Sequence, residues 1–173
     1  MHGNNGGTVT TLIRSLALLG LVLVAAACAA PPPPAPAPTT ADVGLAAYER
    51  YWRVVDAAFA APGDQDWSPR LAEVATGPAL ASVSVDVENY AGFPAHRIGT
   101  VKRSPAVVSS DSNRVDILDC LDISGASLVA DHTGQPLDDT ANRVPRYRFS
   151  ASVVSADGRW LVERTSPMLD QPC

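Results

Sequence analysis

The side chains capable of acid, base or metal chemistry gather in the second half of the chain. Asp116, Asp119 and Asp122 recur every three residues within Val115-Asp116-Ile117-Leu118-Asp119-Cys120-Leu121-Asp122, with His96 before them and His132 after. A carboxylate shielded from water holds its proton more tightly and can serve as a general base. On extended backbone, Asp116 and Asp122 share a face with Leu118 and Cys120, while Asp119 takes the other with Val115, Ile117, Leu121 and Ile123. If the Cys120 face is covered by the C-terminal tail, Asp119 points into an apolar interior. It is then the candidate catalytic residue, as a general base. The competing reading makes it an acceptor of hydrogen bonds from Arg or from backbone groups near a bulge. His96 follows Gly92-Phe93-Pro94-Ala95 in an expected loop, and His132 falls in the Asp131 to Gly134 turn, so both read as solvated. Alternation disperses the three aspartates instead of wrapping them round calcium. No HExxH, CxxC, GxSxG or phosphate-binding glycine loop occurs. These residues assign no metal and no cofactor.

The elements that must hold these residues follow from periodicity. Leu45, Tyr48, Trp52, Val55 and Phe59 recur at three and four residues, which predicts a long amphipathic helix with Glu49, Arg50, Arg53 and Asp56 off its apolar stripe. Thr39 or Thr40 can cap it, and Pro62-Gly63 stops it. Tyr51 lies beside the stripe, at its rim. Ser68-Pro69 predicts a second helix to about Ala75, with Ser68 as N-cap. Gly77-Pro78 opens a third to about Tyr90, with Leu80, Val83 and Val87 on one side, although Val83, Val85 and Val87 also alternate as a strand would.

Beyond Gly99 the pattern predicts strands: Val101 to Val108, broken by Pro105; Arg114 to Ile123; Tyr147 to Val154; and Trp160 to Thr165. Ser155-Ala156-Asp157-Gly158 joins the last two as a hairpin, and Leu128-Val129-Ala130 adds a short strand candidate. Tyr147, Phe149, Ala151 and Val153 face the first helix, and Arg146, Arg148, Ser150 and Ser152 face solvent. Helices followed by antiparallel strands make an α+β arrangement. The aromatics could line a pocket; they read more simply as the helix–sheet core.

The first 27 residues are expected to be a signal peptide: Arg14 precedes the apolar run Leu16 to Ala27, which is shorter than the roughly 20 residues of a bilayer span. Ala25-Ala26-Ala27-Cys28 resembles a bacterial lipobox, which implies cleavage before Cys28 and lipid on that cysteine. Residues 28–41, rich in proline from Pro31 to Pro38, form a stalk, and residues 42–173 form one domain. The expected address is the cell membrane, lipid-anchored on its extracytoplasmic face. Cys120 and Cys173 are an even pair in a compartment where disulfides persist; two free thiols are the alternative. After Cys28 the eighteen acidic residues outnumber twelve basic ones, and the sequence shows no clustered basic face, which argues against nucleic acid as partner.

With Val115 to Asp122, Asp131-His132-Thr133-Gly134-Gln135-Pro136, Asp157-Gly158-Arg159-Trp160-Leu161-Val162 and the closing Pro172-Cys173, the chain resembles the NTF2-like superfamily, and more narrowly its exported actinobacterial lipoproteins. The resemblance implies an α+β, NTF2-like (cystatin-like) cone, N-terminal helices packed on a curved antiparallel sheet, and a Cys120–Cys173 disulfide. That superfamily hosts both enzymes and binding modules, so it does not by itself choose an activity. The expected function is a membrane-tethered, noncatalytic module for an envelope or secreted protein partner. The alternative is a cone that binds or transforms a small apolar molecule.

Overall fold

The computed structural model describes residues 36–173. The expected signal peptide, Cys28 and most of the proline stalk lie outside the described residues.

Helix α1 spans Thr40–Ala60 and starts where a reciprocal cap forms: the Asp42 amide donates to Thr39 Oγ1 at 3.2 Å, and the Thr39 amide donates to Asp42 Oδ2 at 2.9 Å. Its apolar stripe is broader than periodicity predicts. Tyr51 is buried rather than at the rim, because helix α3 (Gly77–Gly92) and strand β6 (Arg159–Met168) pack on α1 as well as the rest of the sheet. At Gly44 an added Cβ would lie 2.5 Å from Val115 Cγ2. Glycine there lets the helix backbone come down onto the sheet.

Helix α2 is shorter than expected, Ser68–Ala72, and Ser68 is its first helical residue rather than its cap. The Ser68 amide is instead satisfied by Asp66 Oδ1 at 2.9 Å. After α2 the chain is needed elsewhere: Ala75 bridges Val162 in parallel, with Val162 N donating to Val74 O at 3.0 Å and Thr76 N to Val162 O at 2.9 Å. That stitch to β6 ends the helix. In α3, Pro78 sits in the first turn, and Ala79, Val83 and Val87 are buried.

Strand β1 (Ala95–Gly99) precedes the point where strands were expected to begin, so His96 lies on a strand and not in a loop. Strand β2 is Ala106–Ser110, displaced from the expected Val101 to Val108, and β3 is Arg114–Asp122. The short candidate is a strand, β4, Ala126–Ala130, and β5 is Arg146–Ala156. The pairings between these strands are antiparallel: β1 with β4, and a four-stranded sheet ordered β2-β3-β5-β6. The two groups are one ribbon with a bend. Lys102 and Asp122 exchange both backbone hydrogen bonds at 2.9 Å, and Thr100 N donates to Gly125 O at 3.0 Å, so β1–β2 runs beside β3–β4 throughout. At the bend Gly99 has φ +78° and a Cβ there would lie 2.0 Å from Gly125 O. No other residue fits.

Bulges between Val107 and Ser109 and between Ser152 and Val153 bend the strands further. Asp157 and Gly158, both at positive φ, turn β5 into β6 as their sequence predicts. The helices cover one face, where Val115, Ile117, Leu121, Phe149, Ala151 and Val153 meet α1. Arg146 and Arg148 are exposed on the other. This is an α+β arrangement, with the helices packed on one face of a bent antiparallel sheet, as the sequence predicts. Cys120 is joined to Cys173, so the final segment is held along the outer side of β3 and β5, where Arg148 N also donates to Gln171 O at 2.9 Å.

Candidate functional site

Asp119 is the one buried polar or charged residue among the described residues, 2 % exposed. Strict alternation along β3 turns it inward with Val115, Ile117 and Leu121. Its occupants explain how a carboxylate survives there. Tyr48 of α1 donates its hydroxyl to Oδ2 at 2.9 Å, and the Ser104 amide donates to Oδ1 at 2.6 Å. The second donor arises from the break before β2. Ala106 pairs with Leu118, which brings Pro105 opposite Asp119; proline carries no N–H, and the Ser104 amide turns inward without a strand partner. Burial first, and then the negative charge of Asp119, hold the Tyr48 phenol well above its ordinary range. Tyr48 therefore remains a donor, and Asp119 an acceptor with both oxygens engaged.

Beside this pair, Arg103 reaches across to α1 and makes two bonds of 2.8 Å to Asp56 while lying 4.1 Å above the Trp52 ring. Arg97 approaches the same carboxylate at 3.5 Å and stacks over Phe59 at 4.3 Å. Trp52 Nε1 and Arg103 Nε are buried without hydrogen-bond partners, each at a cost of about 1–3 kcal/mol.

The other aspartates face outward. Burial acts upward on Asp116, but hydrogen bonds from Ser152, Ser109 and Arg114 outweigh it and hold the carboxyl below its ordinary value. Asp122 is also held low, by the hydroxyl and then the amide of Ser124. The structure does not bring the three aspartates together. His96 Nδ1 lies 2.6 Å from Asp131 Oδ1, both partly exposed, and His132 is exposed in its turn. Among the described residues no group of three His, Cys, Asp or Glu is placed to hold a metal ion, and no helix is long and apolar enough to cross a membrane.

The aromatics divide. Tyr48, Tyr51, Trp52, Phe59 and Phe149 fill the core, with Trp52 and Phe149 rings 5.4 Å apart, whereas Phe93 is exposed. Tyr90 and Tyr147 line a cleft of about 250 Å³ with Arg97, Leu128, Arg143 and Asp138. Arg143 builds its rim: Nη2 donates to Ile123 O and Ala126 O at 2.8 and 2.7 Å, and the guanidinium pairs with Asp138. Sequence reading passed over Arg143, which stands in a stretch rich in turn formers. A second cleft, about 300 Å³, lies along Tyr48, Trp52, Asp56 and Arg103. Two broader hollows open on the outer side of α1. One, about 410 Å³, is lined by Arg50, Arg53, Arg70 and Glu73; the other, about 780 Å³, by Pro38, Val43, Arg50, Arg159 and Trp160. Asp119 lines none of the four. The arginine cluster was also missed, although Arg50 and Arg53 at i, i+3 already share a helix face.

No protein-family model and no curated protein sequence matches the chain. Among solved structures it is similar to the intermembrane space region of the chloroplast protein ARC6, with a TM-score of 0.55 and 19% identity over 77% of this chain and 99% of that one. It is more distantly similar to the Kfla4162 protein of Kribbella flavida, at a TM-score of 0.44 and 14% identity over 73% of this chain and 87% of that one. A protein of Xanthomonas campestris described as a calcium/calmodulin dependent protein kinase II association domain gives a TM-score of 0.39 and 13% identity, over 70% of this chain and 85% of that one. At this identity the ARC6 likeness shows a shared fold.

Proposed function

We propose that this chain is a membrane-tethered, extracytoplasmic NTF2-like domain that acts as a noncatalytic accessory module, docking an envelope or secreted protein. The observation that carries the noncatalytic reading is the state of Asp119. A general base needs a substrate proton within hydrogen-bond reach, and this carboxylate is sealed beneath α1 with Tyr48 and Ser104 on its two oxygens. The tether rests on the sequence Leu16 to Cys28 and on the even pair Cys120 and Cys173, which as a disulfide suits an oxidising compartment. Labelling with palmitate is expected, lost in C28A; equal labelling of both would sink the tether. Native capture from the envelope, analysed for proteins and extractable lipids together, tests the module reading. A stoichiometric protein lost from an unfolded control supports it.

A second reading, an apolar small-molecule site, is favoured by the cleft between Tyr90 and Tyr147. Its 250 Å³ falls below the roughly 300–1,000 Å³ usual for such sites. A bound lipid recovered without a protein partner would promote it.

A further inference from the structure

The hollow between α1 and α2 concentrates charge that the rest of the molecule does not use. Among the described residues, the arginines in ion pairs are Arg97, Arg103, Arg114, Arg143 and Arg146. Arg50, Arg53 and Arg70 are not among them, yet all three line one hollow of about 410 Å³. Buried Val54 and Val74 form its floor, and Glu73 is the one carboxylate on its wall. Two of the guanidiniums are positioned from behind: Arg50 Nη2 donates to Trp160 O at 2.8 Å, and Arg70 lies 5.4 Å from the Trp67 ring centroid. Three exposed guanidiniums against one carboxylate leave a local excess of two positive charges, in a chain whose formal net charge is −5. Fixed guanidinium forks match phosphate oxygens in pairs.

Where this hollow sits selects the source of the phosphate. It shares Arg50 and Glu73 with the adjoining 780 Å³ groove, which adds Arg159 and Asp42, leaving the excess of two positive charges unchanged, and is lined by Pro38. Pro38, close to the start of the described residues, therefore lies on the arginine side. An acidic domain held at an anionic bilayer is repelled unless it turns a basic face to it. We propose that Arg50, Arg53 and Arg70 seat the phosphate of an anionic phospholipid headgroup and orient the tethered domain with this face to the membrane. The choice of a lipid as the phosphate source rests on the tethered reading; the hollow and its charge do not.

The test compares binding of the full chain to vesicles of phosphatidylcholine alone and of phosphatidylcholine with about one quarter phosphatidylglycerol, where the wild type should favour the latter roughly tenfold. The apolar contribution of the lipid or the leader is common to both vesicles and cancels in that ratio, and the charge of Arg14 is common to wild type and variants and cancels between them. In R53E/R70E the ratio should fall to about one, and in the milder R53Q/R70Q most of the way, with circular dichroism unchanged because both side chains are exposed. R148E/R164E makes the same change in net charge on exposed positions of β5 and β6 and should keep the preference. A preference that survives R53E/R70E, or vanishes equally in R148E/R164E, overturns the proposal. So does stabilisation of the wild type by inorganic phosphate without any preference for phosphatidylglycerol, which would make the ligand a free phosphate. Failure of the tether is read separately: palmitate labelling independent of Cys28, with the vesicle preference intact, leaves the headgroup seat standing.

Discussion

Two donors of different kinds converge on Asp119, and this makes the consequences of removing it specific. Asp119→Ala strands the Tyr48 hydroxyl and the Ser104 amide in the core, and two unsatisfied donors cost about 2–5 kcal/mol. Tyr48→Phe removes a single bond and should cost about 1–2 kcal/mol, with Asp119→Asn between the two. Urea unfolding measures all three. A stabilising Asp119→Asn would instead mark a residue kept at the expense of stability, as catalytic groups are. The pH profile follows from the groups around it. Asp116 and Asp122 are held below their ordinary 3.8, so their stabilisation is complete above that value and is lost as pH falls through their folded-state values; Asp86, which burial raises, works weakly against this. Burial raises Tyr48, Tyr51 and Tyr147, so their contribution is complete below 10.0 and disappears as pH rises beyond it toward the folded-state values. Stability should therefore plateau between about pH 5 and 9 and fall on both sides, as urea midpoints across that range would show. The inward direction of Asp119 was legible because alternation fixes it. Of its partners, a backbone amide beside the break at Pro105 fits the acceptor reading, whereas Tyr48 was not legible: it is 71 residues away, and only packing decides which hydroxyl arrives.

Helix α1 carries its own start, stop and apolar stripe, which is why the sequence pattern located it closely. What pattern could not supply was its depth. Gly44→Ala would normally stabilise a helix by about 1 kcal/mol, yet the new methyl would meet Val115 at 2.5 Å and should cost about 1–3 kcal/mol. Combining it with Val115→Ala should recover part of that loss, giving a favourable coupling energy of about 1 kcal/mol or more in a double-mutant cycle. Strict additivity would mean that α1 does not rest on β3 there. The strands divide along the same line. In the core sheet β3 and β5 declare themselves by alternation, because one face is buried, and β6 by the hairpin signal that joins it to β5. The bent end does not. Phe93-Pro94 punctuates the chain like a loop, although β1 begins one residue later; the valines around Pro105 read as one strand, although 101–105 form the link between β1 and β2. Whether such residues pair is settled by β4 and β3, far along the chain.

At the scale of the molecule, the sheet's outer side depends on a covalent clamp more than on packing. The segment after β6 is largely exposed, and its described attachments to β3 and β5 are the Cys120–Cys173 bond and the Arg148 to Gln171 hydrogen bond. The crosslink spans 53 residues that include β4, β5 and β6, so it constrains much of the sheet in the unfolded chain. Chain-entropy reasoning assigns a loop of this length about 4 kcal/mol. C120S/C173S should therefore unfold at lower urea by that order, with its helices intact at neutral pH. The loss should also have a local signature. Amide exchange at Arg148, whose partner lies in the released segment, should accelerate far more than at Val153, which sits in the centre of the sheet between β3 and β6. Uniform acceleration would mean that the bond acts only on the unfolded chain. Unchanged stability would mean that packing alone closes this face, and that an oxidising compartment is not what the fold requires.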